Sequence, residues 1–320
     1  MSKRNLALVG ATLVSIIYGL TFTIAKDVMP QYIQPFGFIV VRVFGAMVLF
    51  WMVSFFMKLF SKTRNEIKIE FKDFPRIAAA ALFGVAINML TFFKGLSLTS
   101  PISASVIMVS TPIIVLILSA IIMKERMLKR KVFGIILGSI GTVFLIVYGK
   151  SIGNASNASL GNFLVLVNAI SYGFYLIIVK KLMDKYNAFT FVKWIYTFGF
   201  LLVLPFGWNE FQAINWTIIP IAIYWKIGFV ILFSTFFTYL LNLLSMRELK
   251  PTTVAVFIYL QPLFATIFAI SLGKDELTWV KISSAILIFV GVYLVTQKKS
   301  GQYSVFSIQC SVFSDQYSVF

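Results

Sequence analysis

Histidine is absent from the 320 residues, and cysteine occurs once, as Cys310 near the C-terminus. No intrachain disulfide can form, and metal centres built from Cys and His lack a ligand set. Charge is scarce too: 12% of residues are charged, against about a quarter in an average soluble chain. Acidic side chains are the scarcest, 11 against 28 Lys and Arg, and all lie in connections, at helix ends or in the tail. No carboxylate is left mid-segment, where a proton relay or a counter-charge for a cationic drug would need one. The same absences weigh against an intramembrane enzyme, which needs a positioned base, a metal or an activated nucleophile. A Ser–Lys pair would be the remaining route, but Lys26 and Lys94 fall at outer helix ends, where their stems reach the headgroups. No metal, cofactor or catalytic residue is expected.

What is present in excess is apolar surface: 59% of residues are hydrophobic and the mean hydropathy is +0.92. The apolar residues come in blocks of about 20, the length that crosses a bilayer core as a helix. Blocks fall near 6–26, 35–57, 77–96, 101–123, 132–149, 160–180, 188–206, 222–245, 251–272 and 279–296, which predicts an all-α integral membrane protein with ten transmembrane helices. The first block follows Lys3 and Arg4 as a signal peptide would, but it is too long and lacks a small-x-small cleavage site before Lys26.

The +17 net charge would suit nucleic acid on a soluble surface. In a membrane chain it reads instead as the positive-inside bias. One alternating set of connections carries Lys3 and Arg4, the stretch from Lys58 to Arg76, that from Lys124 to Lys131, that from Lys180 to Lys193, Arg247 with Lys250, and Lys298 with Lys299. The other set has only Lys26, Lys94, Lys150, Lys226, Lys274 and Lys281. The first set is expected in the cytoplasm, which places both termini there and the chain, multi-pass, in a bacterial inner (cytoplasmic) membrane.

An internal repeat organises these blocks. Shifting residues 95–145 by 150 positions sets Pro101 on Pro251, Pro112 on Pro262, Lys124 on Lys274, Glu125 on Asp275 and Gly141 on Gly291. At an offset of 154, Tyr18-Gly19 and Lys26 fall on Tyr172-Gly173 and Lys180. Five spans per repeat is an odd number, so the second copy is threaded upside down, a recurrent plan of secondary transporters with a central cavity between the halves. The expected divisions are a first repeat at 1–150, a second at 151–299 and a low-complexity tail at 300–320, where QYSVFSI, QCSVFSD and QYSVF follow one another.

Tyr18, Gly19 and Lys26, then Pro35, Arg42, Gly95-Leu96 with Pro101, the Ser-Thr-Pro at 110–112 and Lys124-Glu125 together resemble the EamA-type branch of the drug/metabolite transporter superfamily. The second half repeats the pattern in Tyr172-Gly173, Pro251, Tyr-Leu-Gln-Pro at 259–262 and Lys274-Asp275-Glu276. The resemblance covers roughly residues 5–298 and implies two five-helix repeats that carry a small molecule. One departure stands out: the family usually has tryptophan before the glycine, and both copies here have tyrosine.

Arg42 is the ionisable group set deepest in a span, about 10 Å in from Pro35 at 1.5 Å per residue. It reads either as a clamp for an anionic group, such as the carboxylate of an amino or organic acid, or as a scaffold that binds neighbouring helices. Cavity candidates are Tyr18, Arg42, Asn88, Ser105, Ser110, Tyr172, Tyr175, Thr238, Tyr259 and Gln261; each of the uncharged ones can equally be a helix-to-helix hydrogen-bonding group. Pro112 and Pro262 are expected to kink their helices. Glu125 and Asp275 read as paired gates at opposite mouths, or as charges solvated in the headgroup region. Gly134, Gly138 and Gly141 permit close helix approach within the chain or in a homodimer. The functional expectation is an inner-membrane exporter of small polar metabolites, amino acids or related carboxylates first, working by alternating access. The alternatives are a drug/metabolite carrier of another substrate class and a non-transport membrane protein. Partners are a small-molecule substrate and the lipid bilayer, without nucleic acid.

Overall fold

The computed structural model describes residues 2–29, 31–60, 69–98, 107–147, 158–271 and 278–297. Among the described residues every regular element is a helix: α1 (Lys3–Val28), α2 (Pro35–Phe60), α3 (Phe74–Ala81), α4 (Ile87–Leu98), α5 (Thr111–Ile122), α6 (Lys129–Val147), α7 (Ala158–Met183), α8 (Ala188–Gln212), α9 (Ile221–Phe229), α10 (Thr238–Glu248), α11 (Pro251–Val256), α12 (Leu260–Ser271) and α13 (Trp279–Thr296). A π-helical segment, Leu82–Ala86, joins α3 to α4, and a second, Val230–Phe237, joins α9 to α10. By length and composition six helices can cross a membrane: Lys3–Thr21, Pro35–Met57, Phe71–Leu96, Ser159–Met183, Ala188–Gln212 and Ile221–Glu248. Shorter apolar helices follow at Thr111–Ile122, Pro251–Phe264 and Ile282–Thr296. Helix suits such sequences because a backbone without water must satisfy its own N–H and C=O groups. Large apolar side chains such as Leu6, Phe55, Phe163, Phe206 and Trp225 point outward.

The kinks expected at Pro112 and Pro262 take another form. Pro112 sits in the first turn of α5, after a break at Val109-Ser110. Pro262 is the third residue of α12, after a 3-10 turn at Phe257–Tyr259. Each helix stops and restarts, and the proline lies at the restart, where its missing N–H removes no helical bond.

Helix packing follows the repeat. α1 packs on α10 and α12, and its counterpart α7 packs on α4 and α5. α2 packs on the second π segment, and its counterpart α8 on the first. α2 also packs on α8, and α6 on α13. Counterparts run in opposite directions. The end of α10 meets both the start of α1, where Ser245 Oγ donates to the Ala7 carbonyl at 2.9 Å, and the end of α7, where Lys180 Nζ donates to the Met246 carbonyl at 2.9 Å. Close approach is made by small residues at matched sites. A Cβ on Gly45 would lie 2.8 Å from Ile231 in one π segment, and one on Gly199, 154 positions later, 2.7 Å from Val85 in the other. Gly134 and Gly291 face each other across α6 and α13, each backbone carbonyl under 3 Å from where the other's Cβ would be. The glycine stripe of α6 is therefore used inside the chain.

Carboxylates tie down both ends of α8, to the start of α2 at one end and to the start of α3 at the other. Glu210 Oε2, near the end of α8, accepts from the Phe36 and Gly37 N–H groups at 2.7 and 3.0 Å, capping the start of α2. At the other end Asp73 Oδ2 accepts from Lys185 Nζ at 2.5 Å and the Tyr186 hydroxyl at 2.6 Å, just before α8 begins. Glu70 adds a 2.7 Å ion pair to Lys185. Lys185, and then Lys72, hold the Glu70 carboxyl below its ordinary value.

Candidate functional site

The π segments shape the interior. Widening a helical turn by one residue displaces backbone carbonyls from their usual partners, and side chains then bind them. In the first segment the Phe83 carbonyl accepts from Ser171 Oγ at 2.6 Å and the Gly84 carbonyl from the Tyr239 hydroxyl at 2.7 Å. One turn on, the Asn88 carbonyl accepts from Asn168 Nδ2 at 2.7 Å. In the second segment Thr235 Oγ1 donates to the Val230 carbonyl at 2.8 Å and Thr238 Oγ1 to the Ser234 carbonyl at 2.5 Å.

Arg42, on α2, is only 6% exposed and meets this second segment. Its Nε donates to Thr235 Oγ1 at 2.6 Å, and its Nη2 to the Ser234 carbonyl and Oγ, both at 3.3 Å. The scaffold reading of Arg42 thus describes two of its three nitrogens. Nη1 makes no hydrogen bond among the described residues.

Tyrosines from three helices lie within reach of the guanidinium, and two from a fourth adjoin them. Tyr18 stands beside Thr238 and within electrostatic reach of Arg42. Tyr196 and Tyr239, 5.1 Å apart between ring centroids in an edge-on pair, are also within reach of Arg42. Tyr175 lies 6.0 Å from Tyr239 and 5.9 Å from Tyr172. The Tyr175 ring fills the space that a side chain at Gly84 would take. The hydroxyls of Tyr175 and Tyr196 and Oδ1 of Asn168 are buried without a hydrogen-bond partner. Among the described residues no carboxylate enters this cluster.

Of the cavity candidates, Tyr18, Arg42, Tyr172, Tyr175 and Thr238 are thus brought together. Asn88 borders them with a half-buried side chain and a carbonyl occupied by Asn168. Ser110 turns back on its own chain, donating to the Ile107 carbonyl at 2.6 Å, and Gln261 is half-buried in the first turn of α12. Tyr259 is fully buried elsewhere, on Gly138, where its hydroxyl shares a 2.7 Å hydrogen bond with Ser139 and donates to the Val109 carbonyl at 3.3 Å. That makes it helix-to-helix packing and not a wall of open space. Ser105, Asp275 and the side chain of Lys26 lie outside the described residues; Lys94 is exposed on α4. Tyr196 and Tyr239 are additions. Tyr196 was legible in principle, since it lies 154 positions after Arg42; Tyr239 gave no signal beyond its adjacency to Thr238.

Glu125 departs from the solvated helix-end reading. Its side chain is 6% exposed and pairs with Lys131 at 2.7 Å and Lys250 at 3.4 Å. Thr252 Oγ1 donates to it at 3.3 Å and accepts from Lys131 Nζ at 3.1 Å. The cluster joins α6 and the connection before it to the start of α11, one residue group from each repeat. Lys193, in the second turn of α8, is a buried cation that charge grouping alone assigned to a loop: its Nζ donates to Ser54 Oγ at 2.6 Å and lies 4.9 Å from the Trp51 ring centroid.

The sequence profile of the EamA-like transporter family matches this chain twice, at residues 5–147 and 159–297. An uncharacterized transporter of Archaeoglobus fulgidus is 28% identical over 283 residues, 88% of this chain and 95% of its own length. The uncharacterized transporters YoaV and YyaM of Bacillus subtilis are 26% and 23% identical over 90% and 87% of this chain, and over 96% and 89% of their own. A solved crystal structure shares the fold with a TM-score of 0.72, at 14% identity, covering 92% of this chain and 98% of its own.

Proposed function

The chain belongs to the EamA-like transporter family, and from that premise we propose that it is a ten-span inner-membrane exporter of amino acids or related carboxylates. The repeats at 1–150 and 151–299 form the two halves, inverted with respect to each other; the low-complexity tail at 300–320 lies outside the described residues. Support for the inversion comes from the antiparallel course of α1 and α7 and from the two symmetric packing sets. The end of the bundle that gathers Arg4, Arg76, Arg130, Lys131, Lys180 and Lys185 faces the cytoplasm, as the positive-inside rule requires.

The observation that carries the substrate reading is Arg42. Its Nε and Nη2 are held by Thr235 and Ser234, so the guanidinium is fixed in direction, and Nη1 is left for a ligand. A fixed cation among tyrosines, with no neighbouring carboxylate among the described residues, favours one anionic group. In a low-dielectric interior a carboxylate is stable only where such a partner and further hydrogen bonds await it. The hydroxyls of Tyr18 and Tyr196, within electrostatic reach of Arg42, supply those bonds.

Alternating access closes the cytoplasmic mouth through Glu125, Lys131 and Thr252 and opens it when that cluster parts. Asp275 is the sequence counterpart of Glu125 in the second repeat. Transport leaves the substrate chemically unchanged.

Counterflow in proteoliposomes loaded with panels of amino acids, organic acids, nucleotides or cationic dyes tests the reading. Exchange of amino or organic acids is expected, with loss of at least ten-fold on Arg42→Ala, about what one charge-assisted hydrogen bond contributes. Exchange confined to dyes, or acid exchange untouched by Arg42→Ala, would refute it.

A further inference from the structure

A groove of about 270 Å3 opens on the flank of the bundle between α1 of the first repeat and α12 and α13 of the second. Leu8 and Thr12 form one wall, Phe289 and Tyr293 the other, and Leu260 the floor. It extends along α13 from Phe289 to Thr296, about 10 Å at 1.5 Å per residue. Phe289 and Tyr293 are open to the surroundings, so the groove faces outward from the bundle and not toward the Arg42 interior.

Its Thr296 end is rimmed by cations. Arg4 donates to the Thr296 carbonyl. Arg130 donates to the next residue, through Nη1 to Gln297 Oε1 at 2.8 Å and Nη2 to the Gln297 carbonyl at 2.6 Å. Two guanidiniums are thus anchored on consecutive residues at the end of α13. Lys3 and Lys129 adjoin them, and Lys298 and Lys299 follow Gln297 in the sequence. Neither α1 nor α6, the helices that begin at this rim, has an acidic residue in its first turn, although a helix N-terminus ordinarily favours one.

We propose that this groove binds an anionic phospholipid, with an acyl chain between Leu8 and Phe289 and the phosphate across Arg4 and Arg130. The Thr296 carbonyl takes only part of Arg4's five donors, and the planar fork matches phosphate oxygens, while Arg130 adds its positive charge beside it. A basic rim above an intramembrane groove selects net-negative headgroups over zwitterionic ones, which carry an ammonium into the same field. The bound lipid touches both repeats and fastens them together at one edge.

The test is thermal unfolding of the full chain in detergent with added phosphatidylglycerol or with phosphatidylcholine of the same acyl chains. A ligand that binds only the folded state raises the midpoint. Phosphatidylglycerol is expected to raise it by several degrees more than phosphatidylcholine. That difference should fall by at least half in the double variant Arg4→Gln/Arg130→Gln. Leu8→Trp, which fills the groove and leaves both arginines in place, should lower the gain from both lipids and covers the case of a double variant that does not fold. Equal gains from the two lipids, an equal gain from inorganic phosphate alone, or a full phosphatidylglycerol preference in the Leu8→Trp variant would each overturn the proposal. So would a preference that emerges only when the chain is ended at Lys299, because the tail would then be the occupant.

Discussion

Lys124 has a backbone φ of 51°, in the left-handed region. It follows α5, and the turn it makes sends the N–H of Glu125 back to the Ser119 carbonyl at 3.2 Å. This turn is what carries the Glu125 carboxylate inward to Lys131. A side chain in that conformation costs about 1–2 kcal/mol, which glycine avoids. Lys124→Gly is therefore expected to raise the unfolding midpoint modestly while leaving the Glu125–Lys131 pair in place; a lower midpoint would show that the Lys124 side chain contributes more than the strain it brings. Arg42 makes a related point about residues. A buried arginine in the middle of a sequence block looks the same whether it is a clamp or a scaffold, and only its three donor distances separate the two uses of its nitrogens. Its exchange for lysine keeps the charge but replaces a planar fork with a point charge. The expected result is a higher KM for transport, with kcat less affected.

At the scale of elements, the close contact of α6 with α13 rests on missing side chains. A Cβ on Gly291 would come within 2.6 Å of the Gly134 carbonyl and 2.7 Å of the Gly138 nitrogen, both backbone atoms that cannot step aside. Gly291→Ala is expected to destabilise the fold by about 1–3 kcal/mol, the usual cost of overpacking. Gly228, in α9, offers the contrast, since nothing lies within 4 Å of its added Cβ. Gly228→Ala should stabilise by about 0.5–1 kcal/mol through helix propensity alone. Denaturation of the two variants side by side checks both, and equal effects would show that the glycines matter for propensity only. The paired π segments were not legible as elements. A π turn arises where packing forces an extra residue into a helix, and neither Leu82–Ala86 nor Val230–Phe237 carries a residue pattern that announces it.

For the whole molecule, the carboxylate cluster that ties the start of α3 to the start of α8 makes stability depend on pH. Glu70 is held below its ordinary value, so it contributes stability above the unfolded carboxylate range near pH 4.3, and that contribution is lost as pH falls through the lower folded-state value. The Lys185 ammonium is shifted upward by Asp73 and then Glu70, so its contribution is complete below the unfolded value near 10.4 and fades only as pH rises through the folded one. The midpoint difference between wild type and Glu70→Gln should hold steady from about pH 5 to 9 and shrink on acidification; a difference that grows toward low pH would contradict this assignment. The topology has its own test. In a Cys310→Ser background, a cysteine at Phe71, which is 90% exposed, should be labelled by an impermeant thiol reagent from the side of the N-terminus. One at Ile218 should be labelled from the opposite side. Labelling of both from one side would remove the ten-span inverted arrangement.

Much of this protein was decided by its sequence alone. Apolar blocks leave the chain no folded state but buried helices, because an unpaired backbone cannot be left in hydrocarbon. The 150- and 154-residue offsets expose two copies of one plan, and the chain's membership in the EamA-like transporter family follows the same residues. The contacts between distant residues were left to the tertiary structure. Glu125 finds Thr252, Arg42 finds Ser234 and Thr235, and Tyr259 is buried away from the Arg42 cluster, on Gly138. The physical reason is common to all three. Hydropathy depends on how many apolar residues stand in a row, which is local, whereas the partner of a buried polar group depends on helix rotation and crossing, which are set only when the halves pack.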